Sequence, residues 1–352
     1  GVIYTVDLVE KHFVSKKSKF YNKIDALAFQ SKNLYNSLLY ISRQYYKENQ
    51  KYIGSSKLYN KGKSLKIWNE CNLPKKVCNQ IVFLLDTNYR AYFAALKAFK
   101  IDPTNFFSVP KPPKYKDPLK GRSILIYPKD ALSSKVFKIT GKIKLSQTNI
   151  EIKTQIKKFA DIKQVRIVPR NGFYVIEVVY EKQEEEQKGG HGLASIDLGL
   201  NNLATVAFNN QKNPFIINGR PLKSINQFCN KTKSKLQQKL KKGIFTSYKL
   251  QKIENKRANK INDYLHKSSS YLINQLVSRD ISILIIGYNT GWKQEINIGK
   301  KNNQNFVNIP FLRFVQMIEY KCKLNGIKTI RQEESYTSKC SFLDDESLER
   351  HD

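Results

Sequence analysis

The stretch Ser195–Asn209, "SIDLGLNNLATVAFN", places one acidic residue inside what otherwise reads as buried β-structure. Ala194, Ile196, Leu198 and Leu200 precede a turn-like Asn-Asn pair, and Leu203, Ala204, Val206 and Ala207 follow it. Two short apolar runs joined by residues that tolerate left-handed geometry predict a β-hairpin. Asp197 falls in the first of these strands. A carboxylate there is costly unless it is paired, hydrogen-bonded or bound to a cation. The other reading is an Asp that caps the Asn-Asn turn.

Outward from the hairpin, the order of elements sets the fold. A third strand, "PFIIN", comes next, and then a long basic stretch from Lys223 to Val277 that predicts two helices turning near Gly243. Leu236, Leu240, Leu250, Ile253, Ile261, Leu265 and Leu272 form its predicted seam. "ISILIIG" (281–287) predicts a fully buried strand. "FLRFVQMIEYKCKLNG" (311–326) predicts an amphipathic helix closed by Gly326, and "IKTIRQEE" a further strand. Three antiparallel strands, a helical excursion, a buried strand, a helix and a strand match the order of an RNase H-like fold. In that fold the first strand, at the sheet centre, carries a carboxylate near its middle, and partner carboxylates help it hold two Mg²⁺ ions. Hard cations take oxygen ligands, and two of them can stabilise both oxygens of a phosphodiester displacement.

The N-terminal half reads differently. Residues 1 to about 13 alternate as a strand, with Val2, Tyr4, Val6 and Leu8 on one side. Asn22 to Glu48 turns helical, with Lys32, Asn33 and Asn36 on its other faces, and a second helix follows Pro74. "PKPPKYKDP" (110–118) cannot be regular structure and reads as a stiff basic connector. Short strands are predicted at 123–127, 136, 142, 149, 164 and 172, a spacing that suggests a small barrel interrupted by the two helices. "EKQEEEQKGGHG" is an acidic, Gly-ended linker that marks a domain boundary.

Charge sets the class of partner. Lys+Arg 62 against Asp+Glu 29 leaves +33, spread along 352 residues. Nucleic-acid phosphate is the commonest polyanion to neutralise such a surface. AT-rich codons would account for many Lys residues but not for so few Asp and Glu. A hydrophobic content of 40% supplies real cores, and no apolar run approaches membrane-spanning length. Five scattered cysteines lack zinc-finger spacing, which predicts reduced thiols, no disulfide framework and no zinc. The four histidines have no metal-site spacing, and His266 in "YLHKSSS" reads as a helix-packing or RNA-contacting residue.

The chain resembles the TnpB proteins of IS200/IS605-family transposons, relatives of the Cas12 effectors and of Fanzor. The matching stretches run over nearly the whole chain: "SKNLYNSLLY", "PKPPKYKD", "KLSQTNIEIKT", "VRIVPRNGFYVIEVVYE", "SIDLGLNNLATVAFN", "PFIINGRPLKSINQ", "DYLHKSSSYLINQLV", "LIIGYNTGWKQEINIGKKNNQNFVNIPF" and "EESYTSKCSFLDDE". The resemblance implies a multidomain α+β protein. Its parts would be a wedge β-barrel (1–20 and 100–182), a helical recognition insertion (21–99), a linker (183–190) and a RuvC-like nuclease domain (191–352) with a helical insertion at 223–278. It further implies a guide RNA, a double-stranded DNA target cut beside a short flanking motif, two Mg²⁺ ions and a monomer in the RNA complex. The compartment would be cytoplasmic and nucleoid-associated in a bacterium, or nuclear in a eukaryote or its virus. The recognition insertion would read the flanking motif through Asn33, Tyr35, Lys76 and Gln80, and Lys111, Lys114, Tyr115, His266 and Lys267 would meet nucleic acid.

Three departures from the family matter. Gly287 stands where most relatives carry a Glu at the end of the buried strand. Of the usual four cysteines after "YTS" only Cys340 is present, so no zinc is expected. The family's third carboxylate, in an Ala-Asp-x-Asn-Ala segment, would fall beyond Asp352. Strand 327–333 should adjoin strand 281–287, offset by about 4.8 Å. A carboxylate at its end could therefore fill the space left by Gly287. Alternation sends Glu333 and Glu334 to opposite faces, and the alignment of "SYTS" favours Glu334 as the metal and catalytic partner of Asp197. The other reading of this pair is two solvated strand-end glutamates. A relative that binds but no longer cuts, acting as a repressor, is the alternative function, and a general RNA-binding protein a third.

Overall fold

In the computed structural model, residues 4–209, 212–288 and 309–333 are described. The chain divides into two compact units, residues 7–182 and residues 183–352 with 1–6.

In the first unit, strand β1 (Thr5–Ser15) leads into helix α1 (Tyr21–Asn49), short helices α2 (Ser55–Lys63) and α3 (Lys66–Glu70), and helix α4 (Lys75–Ile101). Pro74 precedes α4, whose stripe Val77, Ile81, Val82, Leu85 and Tyr89 is buried with Leu34, Leu38 and Leu39 of α1 in one core. Strands β2 (Leu125–Pro128), β5 (Ile162–Arg170) and β6 (Phe173–Gln183) join β1 in a four-stranded sheet of order β1-β6-β5-β2. Strands β3 (Lys142–Lys144) and β4 (Glu151–Lys153) form a separate antiparallel hairpin. The small barrel read from strand spacing thus takes the form of a sheet and a hairpin.

The run near Val136 is not a strand. Residues Ser134–Thr140 form helix α5, because Ser133 accepts a hydrogen bond from the Val136 amide at 3.2 Å and Gly141 closes the helix at φ +68°. A run of four residues carries no period long enough to separate helix from strand, so the caps decide.

The segment 110–118 is irregular, as its prolines require, and side chains of α1 hold it. Proline lacks an amide donor, so this backbone offers mainly carbonyls that need outside partners. Arg43 donates to the Pro113 carbonyl at 2.6 Å, and Asn36 exchanges two hydrogen bonds with Lys116 at 2.9 and 3.0 Å. Lys32 donates to the Pro118 carbonyl. Arg122 clamps both oxygens of Asp25 at 3.0 Å. Positions 25, 32, 36 and 43 are spaced seven, four and seven apart, which sets them along one helical stripe. Lys32 is therefore not on a solvated face. It is 1% exposed, with its ammonium 3.8 Å from the Phe29 ring centre. Burial pushes its pKa down.

The second unit is built on a five-stranded sheet of order β11-β10-β7-β8-β9. Strands β7 (Leu193–Leu198), β8 (Asn202–Phe208) and β9 (Phe215–Asn218) run antiparallel in succession. Helices α6 (Arg220–Gln237) and α7 (Tyr248–Ser278) follow, then strand β10 (Ile283–Tyr288), helix α8 (Phe311–Lys323) and strand β11 (Lys328–Glu333). β10 lies parallel to β7 and β11 parallel to β10, so β7 is central. Ala194, Ile196, Leu198, Val206, Leu284 and Ile286 share one core with Leu265, Leu272, Phe314 and Ile318. Gly219 is demanded by close approach: a Cβ there would lie 2.5 Å from the Leu200 carbonyl oxygen, beside the β7–β8 turn.

Candidate functional site

Alternation along β7 decides where Asp197 points. Ala194, Ile196 and Leu198 enter the core, so Leu193, Ser195 and Asp197 take the opposite face. Asp197 is exposed, which corrects the premise of a buried carboxylate. Its side chain makes no ion pair or hydrogen bond among the described residues, so it does not cap the Asn-Asn turn. Its across-strand partner on β8 is Thr205, itself paired with the 58%-exposed Ile216 on β9.

On the other side, Ile286 is in register with Ile196, so Gly287 takes the next place beside Asp197. Gly287 in turn is in register with the exposed Gln332 of β11. Asp197, Gly287 and Gln332 are each the penultimate residue of three neighbouring parallel strands, at the carboxyl-terminal edge where open α/β sheets place their ligands. The adjacency of β10 and β11 expected from sequence is present, with Tyr288 opposite Glu333. Glu334 and Cys340 lie outside the described residues. Among the described residues no group of three or more His, Cys, Asp or Glu could hold a metal ion. Asp197 supplies the hard oxygen donor a divalent cation takes, but one carboxylate does not complete a site.

The other predicted positions fall in three surroundings. Lys111 and Lys114 are exposed, and Tyr115 is 44% exposed, on the segment that α1 fastens in place. The Arg43 guanidinium lies 4.5 Å from the Tyr115 ring centre, which leaves that aromatic face partly engaged. On α4, Lys76 is exposed but pairs with Asp130 at 2.5 Å, and Gln80 is half-buried. On α1, Asn33 is half-buried. Tyr35 is only 4% exposed and sits in the core, so the expectation of a surface Tyr35 fails. A tyrosine between Leu34 and Leu38 is drawn inward because the helix buries that whole stripe, and Lys116 closes over its ring.

In the second unit, His266 is half-buried on α7 and Lys267 is exposed, paired with Asp263 at 2.7 Å. Sequence reasoning missed the neighbour that fixes this turn. Lys321 of α8 donates to the His266 carbonyl at 2.9 Å and to the hydroxyls of Ser269 and Ser270 at 2.6 and 2.9 Å. Desolvation lowers its pKa to about 8. It also missed an open basic pocket of about 690 Å³ in the first unit, lined by Lys19, Lys23, Lys144, Ser133, Thr148 and Asn149. Such a pocket suits an anion, but its residues are too far apart in sequence to announce it.

Residues 176–293, which include β7 to β10, match the family model of the IS605 OrfB probable transposase, and residues 311–349 match the Cas12f1-like TNB domain. Over these residues the chain is similar to TnpB-family proteins. It is 27% identical over 188 residues to a CRISPR-associated endodeoxyribonuclease, Cas12f2, of a Micrarchaeota archaeon, covering 50% of this chain and 34% of that one. It is 31% identical over 120 residues to a TnpB-like protein of Methanocaldococcus jannaschii, covering 34% of this chain and 43% of the relative. The match thus spans less than half the length of either curated relative. A cryo-EM structure of a Cas12f1–sgRNA–target DNA complex shares the fold, at a TM-score of 0.53 and 14% identity, over 93% of this chain and 76% of the other. Among the described residues no helix is long and apolar enough to cross a membrane.

Proposed function

We propose that this chain is an RNA-guided DNA endonuclease whose cutting site is built on the face of the sheet that carries Asp197. The observation that carries this reading is an exposed, unpartnered carboxylate at the carboxyl-terminal edge of the central strand. In this reading the sheet is the RuvC-like, RNase H-type core, and the β1-β6-β5-β2 sheet with its hairpin is the wedge. The guide RNA and the double-stranded target neutralise the +33 chain. The relatives' names and the RNA- and DNA-bound neighbour support these partners.

Asp197 and Glu334 would hold Mg²⁺. When bound, such ions stabilise the attacking and leaving oxygens of the phosphodiester. The protein's own part is positional. β7 presents the Asp197 carboxylate without a competing cation, and Gly287 leaves open the space beside it. Glu334, which follows the last residue of β11 in the chain, supplies the oxygen donor that Gly287 lacks. Asn33, Lys76 and Gln80 read the flanking motif, with Lys76 first leaving Asp130. Lys111, Lys114, Tyr115, His266 and Lys267 contact nucleic acid along their exposed edges.

The test is plasmid cleavage by the full-length protein with its guide RNA and Mg²⁺. Asp197→Ala and Glu334→Ala should each lower cleavage by about 10³-fold or more. Guide-RNA and target binding should stay intact, and Glu333→Ala should cut almost normally. Full activity in Asp197→Ala would sink the nuclease reading. Full activity in Glu334→Ala would sink only its place in the site. A wild-type protein that binds a guided target without cutting it would favour the repressor instead.

A further inference from the structure

The junction of α3 and α4 brings two thiols together. Cys71 follows α3, where its amide bonds the Ile67 carbonyl at 3.1 Å, and Cys78 lies in the first turn of α4. Their sulfurs are 3.6 Å apart. Cys78 is fully buried, whereas Cys71 is half-exposed. The Trp68 carbonyl accepts from the Lys75 ammonium at 2.5 Å and from the Cys71 thiol at 3.4 Å, so a fixed cation stands beside the accessible sulfur. The thiol–thiol hydrogen bond draws the Cys71 pKa down and pushes that of Cys78 up. The reachable sulfur is thus the more readily deprotonated of the two and the readier nucleophile.

We propose that Cys71 and Cys78 are a reversible disulfide pair that oxidises by exchange with small-molecule disulfides, Cys71 attacking and Cys78 resolving. The Cys71 thiolate bonds to one sulfur of the small disulfide, whose own S–S bond breaks and releases a thiolate that takes a proton. Cys78 then gives up its proton to solvent, and its sulfur attacks Sγ of Cys71, releasing the second small thiol. From the thiolate–thiol pair the protein loses two electrons and one proton, a second proton comes from solvent, and the small disulfide becomes two thiols. The sulfurs must close from 3.6 Å to about 2.05 Å. Residues 71–74, which belong to neither helix, are the part of the chain free to make that adjustment. The cross-link would tie this loop to the turn of α4 that carries Lys76, so oxidation would act on the recognition helix rather than on the sheet of Asp197.

The experiment treats the full chain with oxidised glutathione near neutral pH, alkylates the remaining thiols, digests with trypsin and reads the peptides by mass spectrometry. The wild type should yield the peptide of residues 67–75 linked to that of residues 77–90, and dithiothreitol should undo the link. Cys78→Ala should stop at glutathione on Cys71, and Cys71→Ser should give neither adduct nor link. Melting curves confirm that each variant is folded. A wild-type protein in which Cys71 stays free, or keeps glutathione without closing the link, overturns the proposal. So does equal modification of the buried Cys229 and Cys322.

Discussion

Asp25 and Asp197 are the same side chain put to opposite uses in the two units. Asp25 takes two hydrogen bonds from Arg122 at 3.0 Å and one from the Tyr174 hydroxyl at 2.6 Å. It ties Arg122, just past the irregular 110–118 strap that α1 holds, to α1, and the Arg122 contacts hold its carboxyl below the ordinary range. Asp197 has no such partner among the described residues and stands exposed at the edge of three parallel strands. A carboxylate held by three protein donors is architecture. One left open on a rigid strand is available to a ligand.

The comparison breaks most directly through stability. Asp25→Ala should destabilise the protein by about 2 kcal/mol, since it leaves the hydroxyl of the buried Tyr174 without its acceptor and Arg122 with only the Leu119 and Gly121 carbonyls. Asp197→Asn should change stability by less than about 0.5 kcal/mol, because nothing in the fold depends on its charge. Urea unfolding of the two variants compares them, and a larger loss in Asp197→Asn would reverse the distinction. The pH response follows the same line. A carboxyl with a lowered folded pKa adds stability above its unfolded value, so the contribution of Asp25 should fade as pH drops below about 4.

A smaller effect sharpens what the strap does. Asn36→Ala removes two hydrogen bonds to Lys116 and should cost about 1–2 kcal/mol. Amide exchange should quicken in the segment 111–118, where Lys111 and Lys114 are displayed, while amides of β7 and β10 keep their protection. Unchanged exchange in that segment would mean that the prolines alone hold it.

The smallest effect belongs to Lys321, whose three acceptors include no acid. Its pKa is lowered to about 8 in the folded protein. Between that value and the ordinary lysine range the unfolded chain binds more protons, so this group makes stability rise with pH. After allowance for solvent screening the rise is about 1 kcal/mol. Lys321→Met should abolish it. Unfolding of wild type and variant between pH 8 and 10 gives the difference directly, and parallel curves would contradict the role of burial.

The helical insertion, the helices flanking residue 74 and the hairpin around Asp197 were legible because each has enough length for its period to show. The strand read at Val136 was not, since a four-residue run fits a helix or a strand and the Ser133 and Gly141 caps decide. Lys32 and Tyr35 failed for a different reason. Each stands beside apolar neighbours on α1, and only the strap folding over that stripe makes a buried lysine tolerable. Cys71 and Cys78 are seven residues apart, a spacing without meaning until α3 ends and α4 begins where they do.

By itself, then, the sequence determined the net charge of +33 and the order of elements that carries Asp197 into a central strand. Local periodicity and net charge need no partner residue to be read. The tertiary structure alone decided which face Asp197 takes, that Gly287 and Gln332 stand in its row, and which lysines are buried, paired or exposed. Those depend on strand register and on side chains brought together from distant positions, and no local pattern encodes them.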